Sequence, residues 1–346
     1  MTVNTPQTNG HKPHRLLLVS VPRTASNLLL KVLNISNQPN LITNPKCGYF
    51  FYDAFMTAAK DARLNRPLDQ WTADEKNETK SVFQRCLHDL EEYSARASAE
   101  NRIMFAKEHA FWFANPGAFT RSLGGTDTPD DLKEFRMSIP ESYGPTQTFS
   151  ASNQTVLSDE YLRTWRIAFV IRHPALAWPS LYRAMQKLLK EGYIDDDGIK
   201  GASIVNMTLS WTRKLFDWCI EQPDESVTPL VIDANDVIHN PAVVTKFCEM
   251  AGLDPAVMQF EWSAKPPAEG NAEEEMENQK RIGIFLSTLQ ESTGIVKEKA
   301  PASVDIDAEV VKWRVEFGDD VAQLLEKATS DSMADYVYLK AHCVVV

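Results

Sequence analysis

Apolar residues run along this chain in two alternating rhythms. Leu16 to Val21 is almost unbroken (LLLVSV), the pattern of a strand covered on both faces. Pro22 stops it, and from there the spacing becomes Leu28, Leu29, Leu30, Val32 and Leu33, which predicts a helix. The exchange then repeats. Leu41-Ile42-Thr43 is a short strand candidate, and Tyr49, Phe50, Phe51, Tyr52 and Phe55 form an aromatic cluster that opens a helix. Val82, Cys86, Leu87, Leu90 and Tyr93 recur at helical spacing within a long helix over 72–100. Ile103 to Ala106 is a second clear strand, running into Lys107-Glu108-His109, and Trp165 to Ile171 is a third, running into Arg172-His173-Pro174. Helices over about 175–190 and 205–221, a strand from Pro229 to Asp233, and a helix over 241–251 that stops at Gly252 follow. Two more helices, about 305–326 and 331–341, finish the chain, and no internal repeat is visible.

Strands that alternate with helices predict an α/β fold of three layers, a mostly parallel central sheet with helices on both faces. Residues 1–14 are polar and rich in Thr, Asn, Pro and Gly, which predicts a disordered arm. Residues 15–346 then form a single domain. Within it, 122–154 changes character: GGTDTPDD, Pro140, Pro145 and many Ser, Thr and Asn point to a long insertion or lid over a site. A helical C-terminal part starts at about 263, where the acidic run Glu273-Glu274-Glu275 reads as a solvated helix or linker.

Composition narrows the function classes. Of 346 residues, 43% are hydrophobic and 10% aromatic, ample for a core. The net charge of −11 argues against a nucleic-acid partner and means that any anion site rests on a few local cations. Cys47, Cys86, Cys219, Cys248 and Cys343 are odd in number and without CxxC spacing, so reduced thiols in a cytoplasmic protein are expected rather than disulfides or zinc. No signal-peptide core and no run of about 18 apolar residues is present, so no membrane partner is expected. No metal-ligand cluster is visible either.

Ligands of parallel α/β sheets bind outside the carboxyl ends of the strands. Here those ends carry Pro22-Arg23, Lys107-Glu108-His109 and Arg172-His173-Pro174, so basic and imidazole groups converge within an acidic chain. The turn Arg23-Thr24-Ala25-Ser26-Asn27 between strand and helix has the composition of an anion-binding loop: backbone N–H groups at a helix start, hydroxyls, and an arginine. It is not GxxxxGK[ST], which disfavours an ordinary ATPase or kinase. Strand alternation puts Lys107 and His109 on one side and Glu108 on the other. A histidine at such a position either satisfies a backbone carbonyl or acts as a base. His173 reads as structural, tied into the turn before Pro174.

Pro22-Arg23-Thr24-Ala25-Ser26-Asn27, followed by Lys107-Glu108-His109 and then by Arg172 with Ser180 eight residues on, resembles the sulfotransferase family that uses 3′-phosphoadenosine-5′-phosphosulfate (PAPS). Residues 229–252 are similar to that family's late strand and helix, so the resemblance spans most of 15–255. It implies that the loop Arg23, Thr24, Ala25, Ser26 and Asn27 holds the phosphosulfate, and that Arg172 and Ser180 hold the 3′-phosphate. It further implies that His109 is the catalytic base, with Lys107 and Arg23 supplying charge. Tyr49, Phe50, Tyr52, Phe111 and Trp112 are candidates to line an apolar pocket for a small-molecule acceptor. Three positions depart from the family pattern. Ala25 stands for the loop glycine, Asn27 for its last hydroxyl, and Ala234 for a tyrosine of the late strand. The C-terminal Arg-Lys-Gly-x-x-Gly loop has only weak counterparts in Lys280-Arg281-Ile282-Gly283 and Ser292-Thr293-Gly294. Two alternatives therefore stay open: the same fold recruited to another acid–base reaction without PAPS, with Glu108 and His109 as acid or base, and a non-catalytic nucleotide- or partner-binding module. A homodimer is compatible with all three.

Overall fold

The computed structural model describes residues 15–124, 131–224, 227–263 and 273–346; the arm expected over 1–14 lies outside them. From the described N-terminus, β1 (Arg15–Ser20) turns into α1 (Ser26–Val32), then β2 (Leu41–Ile42), α2 (Tyr52–Ala59) and α3 (Ala73–Ala99). β3 (Ile103–His109) is followed by α4 (Pro116–Ser122) and α5 (Asp159–Leu162), and β4 (Trp165–Ile171) by α6 (Pro174–Lys190), α7 (Asp196–Asn206) and α8 (Ser210–Ile220). β5 (Leu230–Asp233) leads to α9 (Ala234–His239), α10 (Pro241–Met250), α11 (Glu273–Glu291), α12 (Ile306–Phe317) and α13 (Asp319–Lys340).

The strands form one sheet in the order β2-β3-β1-β4-β5, with every neighbouring pair parallel. The three-layer α/β arrangement expected from the alternating rhythms is the one observed. Strand parity divides the core. Leu16, Leu18, Ile103, Phe105, Ala168, Val170, Leu230 and Ile232 face α1 and α10. Leu17, Val19, Met104, Ala106, Ile167, Phe169 and Val231 face the larger layer containing α2, α3, α8, α12 and α13. Burial of both faces explains why the strands read as continuous apolar runs rather than alternating ones. Register then matters for the site, because Ser20 at the end of β1 lies opposite His109 at the end of β3.

Several element boundaries differ from those expected. The helix expected over 205–221 is two helices, α7 and α8, separated at Met207–Leu209, where Thr208 Oγ1 accepts from the Ser210 N–H. The last two helices break at Gly318, which has φ of 86°, and not between 326 and 331. The expected gap between 326 and 331 lies inside α13, where Thr329 and Ser332 are buried. In the stretch 131–158, Phe135, Met137, Ile139 and Val156 are buried in the core. Met137 N–H donates to the Val156 carbonyl at 3.0 Å and Val156 N–H to that of Phe113 at 3.0 Å. No described helix is long and apolar enough to cross a membrane.

Candidate active site

The turn from β1 to α1 departs from ordinary backbone geometry at two residues. Arg23 and Ala25 have φ of 70° and 63°, the left-handed region that glycine tolerates best. Thr24 lies between them, fully buried, and its Oγ1 donates to the Val21 carbonyl at 2.8 Å, so the hydroxyl braces the turn. The first intrahelical bond runs from Leu29 N–H to the Ala25 carbonyl. The N–H groups of Ser26, Asn27 and Leu28 therefore have no acceptor within α1.

Ala25, Ser26, Asn27 and Leu28 line a cavity of about 330 Å³ whose other walls come from α6 and α11. Arg23, Arg172 and Ser180 line it as well, so the strand–helix loop and the Arg172/Ser180 motif meet there. Arg23 Nε donates to Ser180 Oγ at 3.0 Å and its Nη1 to the Phe285 carbonyl of α11 at 2.5 Å. Arg172 Nη1 donates to the Arg23 carbonyl at 3.0 Å. Burial lowers both guanidinium pKa values. Arg172 falls to about 10, with Arg23 and Arg183 adding repulsion and Asp233 opposing it. Of the two weak C-terminal candidates, Ser292 and Gly294 line the cavity; Arg281 instead lies 5.7 Å over the Tyr193 ring. His173 caps α6, accepting from the Ala175 N–H.

The end of β3 supplies the second part of the site. Lys107 is fully buried, and its Nζ donates to Asn27 Oδ1 and lies 4.7 Å over the Tyr49 ring. Burial pushes it down to about 7. His109 Nδ1 is 3.2 Å from the Ser20 carbonyl and 3.1 Å from Ser20 Oγ. With the proton on Nδ1 the ring donates to the carbonyl, which can only accept, and Nε2 keeps a lone pair; in the other tautomer Nδ1 accepts from the Ser20 hydroxyl. Burial, reinforced by Lys107, lowers His109 to about 3, which keeps the ring neutral. Glu108 does not join this group. It points to the opposite face, where Oε1 accepts from the Phe50 and Phe51 N–H groups at 2.6 and 3.0 Å, and burial pushes it up to about 8.

The aromatic candidates divide in the same way. Trp112 lies 4.4 Å from the His109 ring, Phe111 stacks on it at 5.7 Å, and Tyr49 is 5.6 Å away. Tyr52, more exposed, packs on Trp112 at 5.0 Å. Phe50 turns away, its ring edge-on to Tyr93 of α3 at 5.7 Å. Two residues escaped the sequence reading. Ser20 orients His109, and only the strand register reveals it. Phe285 of α11 closes the cavity, with Leu286 and Leu289 beside it. Among the described residues, no cluster of three or more His, Cys, Asp or Glu is arranged to hold a metal ion.

No protein-family model matches the chain. Sulfotransferase ppzF of Metarhizium majus (strain ARSEF 297) is 37% identical over 344 residues, covering 96% of this chain and 97% of the relative. The chain belongs to the sulfotransferase family. A second relative, sulfotransferase ppzF of Metarhizium rileyi (strain RCEF 4871), is also 37% identical, over 339 residues, with 95% of this chain and 96% of that one covered. Among solved structures, the sulfotransferase domain of the Synechococcus PCC 7002 olefin synthase is similar over 91% of this chain and 99% of that one, at 16% identity and a TM-score of 0.39. In this member of the family, the loop departures have visible local effects. Ala25 holds the left-handed conformation that suits glycine, and Asn27 provides the acceptor for Lys107. Ala234 is buried at the head of α9, while the preceding Asp233 accepts from Tyr336 OH at 2.7 Å.

Proposed function

We propose that the chain transfers a sulfuryl group from PAPS to a hydroxyl of a small, largely apolar metabolite. The observation that carries this reading is the convergence of Arg23, Ser26, Asn27, Arg172 and Ser180 on one cavity, with Lys107 bonded to Asn27 at its edge. The residues suit a doubly phosphorylated nucleotide. The volume falls within the range of roughly 300–1,000 Å³ common for small-ligand pockets. Its polar wall is cationic where the whole chain is acidic, and α11 offers Phe285, Leu286 and Leu289 as an apolar wall for a base. Arg172 and Ser180 would hold the 3′-phosphate, while the free N–H groups of Ser26 and Asn27, with Lys107, would hold the opposite end.

When bound, PAPS supplies an activated sulfuryl group. The chain's own work is positioning and charge. Lys107, in its ammonium form, places a positive charge in a water-poor site, where it counts for more than in solvent. His109 offers Nε2 as acceptor for the proton of the attacking hydroxyl, with Nδ1 donating to the Ser20 carbonyl in that tautomer. Trp112, Tyr49 and Phe111 surround the imidazole with apolar surface that suits an apolar acceptor. The separation of Glu108 from His109 across β3 favours transfer over an acid–base pair acting on one substrate.

Titration calorimetry with adenosine 3′,5′-bisphosphate tests the reading. The protein is expected to bind it, Arg172→Met to weaken binding by about tenfold or more, and His109→Ala to retain it. The same His109→Ala variant should lose sulfuryl transfer by about 100-fold or more. Absence of bisphosphate binding by the unsubstituted protein would sink the proposal.

A further inference from the structure

The cavity has a third guanidinium on its wall. Arg183 lies three residues beyond Ser180, one turn further along α6, on the face that also presents Leu176, Pro179 and Ser180. It lies close enough to Arg172 to contribute to the lowering of that residue's pKa. Among the described residues after α10, those that line the cavity include Phe285, Ser292, Gly294 and Glu309, whereas Lys280 and Arg281 do not line it.

We infer that Arg183, which lines the cavity beside Arg172 and Ser180, is a specificity residue that binds the 3′-phosphate from α6 and makes the site select 3′,5′-bisphosphorylated nucleotides over 5′-monophosphates. This rests on the nucleotide reading above. In the structure the Arg183 fork is held by Glu316 near the end of α12, with Nε and Nη2 each 2.6 Å from a carboxylate oxygen. Its guanidinium also lies 5.4 Å over the Phe317 ring. That pair is solvent-exposed, at 47% and 41% for the two side chains, so it adds little stability and is easily exchanged. A phosphate dianion offers the same planar fork another bidentate partner, with Arg172 and Ser180 beside it on the cavity wall. Glu309 is the carboxylate that lines the cavity, and Asp233 acts on Arg172, so three arginines face a limited countercharge. Glu316 is then the resting partner of Arg183, and nucleotide entry moves the guanidinium by rotation about its own side chain.

The experiment compares adenosine 3′,5′-bisphosphate with adenosine 5′-monophosphate by calorimetry on the full chain. For Arg183→Met, bisphosphate affinity should fall by about tenfold or more while monophosphate affinity stays within about twofold. Arg183→Lys should recover part of the loss, because a point charge replaces the fork. Glu316→Gln should tighten the bisphosphate by a few-fold, since the competing carboxylate is gone. Equal weakening of both nucleotides, or of neither, in Arg183→Met overturns the assignment, and unchanged affinity in Glu316→Gln overturns the exchange. If the unsubstituted protein binds neither nucleotide, the nucleotide reading itself falls and takes this inference with it. If it binds the bisphosphate normally and only the Arg183 effect is missing, the nucleotide reading survives.

Discussion

His109 meets the structural demand that its position suggested, a contact with a backbone carbonyl, and the base role proposed above builds on that contact. With Nδ1 donating to the carbonyl of Ser20, Nε2 is free for chemistry. The same burial that holds the ring lowers its pKa to about 3, so it stays unprotonated across the working range. Lys107 behaves in the opposite sense for activity: the charged form is needed, and burial brings its pKa down to about 7. A lysine is charged below its pKa, so the useful state is present at lower pH and is lost as pH rises through about 7. On the transfer reading, kcat/KM should therefore be flat from about pH 5 to 6, with no acid limb near 6.5, and should fall as pH rises through about 7. Lys107→Arg should remove the basic limb, since arginine does not titrate there. An acid limb centred near 6.5 would show that His109 titrates as an exposed imidazole and would contradict its burial. The residue scale also explains Ala25. Its methyl group does not bar the left-handed turn, which an alanine adopts at a cost of about 1–2 kcal/mol.

Among the elements, the opposite end of β1 is anchored by charge inside the core. Arg15 has a fully buried side chain and donates from Nη2 to Glu91 Oε1 at 2.6 Å, to Ser94 Oγ at 2.7 Å and to Tyr161 OH at 2.8 Å. Tyr143 OH donates to the other Glu91 oxygen at 2.6 Å, so the polar stretch after α4 is tied to β1 and α3 through one carboxylate. Arg15 also lies 4.1 Å over the Trp165 ring of β4. Removing one partner of a buried ion pair costs about 3–5 kcal/mol, because the other charge is left without compensation. Glu91→Gln should accordingly lower unfolding free energy by about 3 kcal/mol in urea titrations, whereas a loss under about 1 kcal/mol would mean that Tyr143, Tyr161 and Ser94 suffice for Arg15. At this scale the sequence was legible where apolar runs are long and strongly periodic, as in β1, β4, α3 and α6. It was less so in α13, where the break expected between 326 and 331 is continuous helix, and in α11, whose acidic start suggested a solvated segment although Phe285 and Leu286 close the cavity.

The whole molecule carries a net charge of −11 yet concentrates guanidinium groups at one sheet end. Parallel strand topology makes that possible, because it delivers Arg23, Lys107, His109 and Arg172 to the same edge from positions spread over about half the chain. Chain order and strand parity were enough to identify those residues beforehand. Contacts that depend on register or on how a helix is rotated were not available from sequence alone, which is why Ser20, Phe285 and Arg183 emerged only from the fold. The molecule also offers a larger cavity of about 580 Å³ between α4 and α8, lined by Arg121, Arg136 and Lys214 with Asp217 and Glu221, which is a rival place for an anionic ligand. A crystal structure with adenosine 3′,5′-bisphosphate discriminates between the two most directly. The 3′-phosphate is expected within hydrogen-bonding distance of Arg172, Ser180 and a reoriented Arg183, and the 5′-phosphate at the Ser26 and Asn27 N–H groups beside Lys107. A nucleotide bound between α4 and α8, or a crystal with no nucleotide at saturating concentration, would contradict that placement.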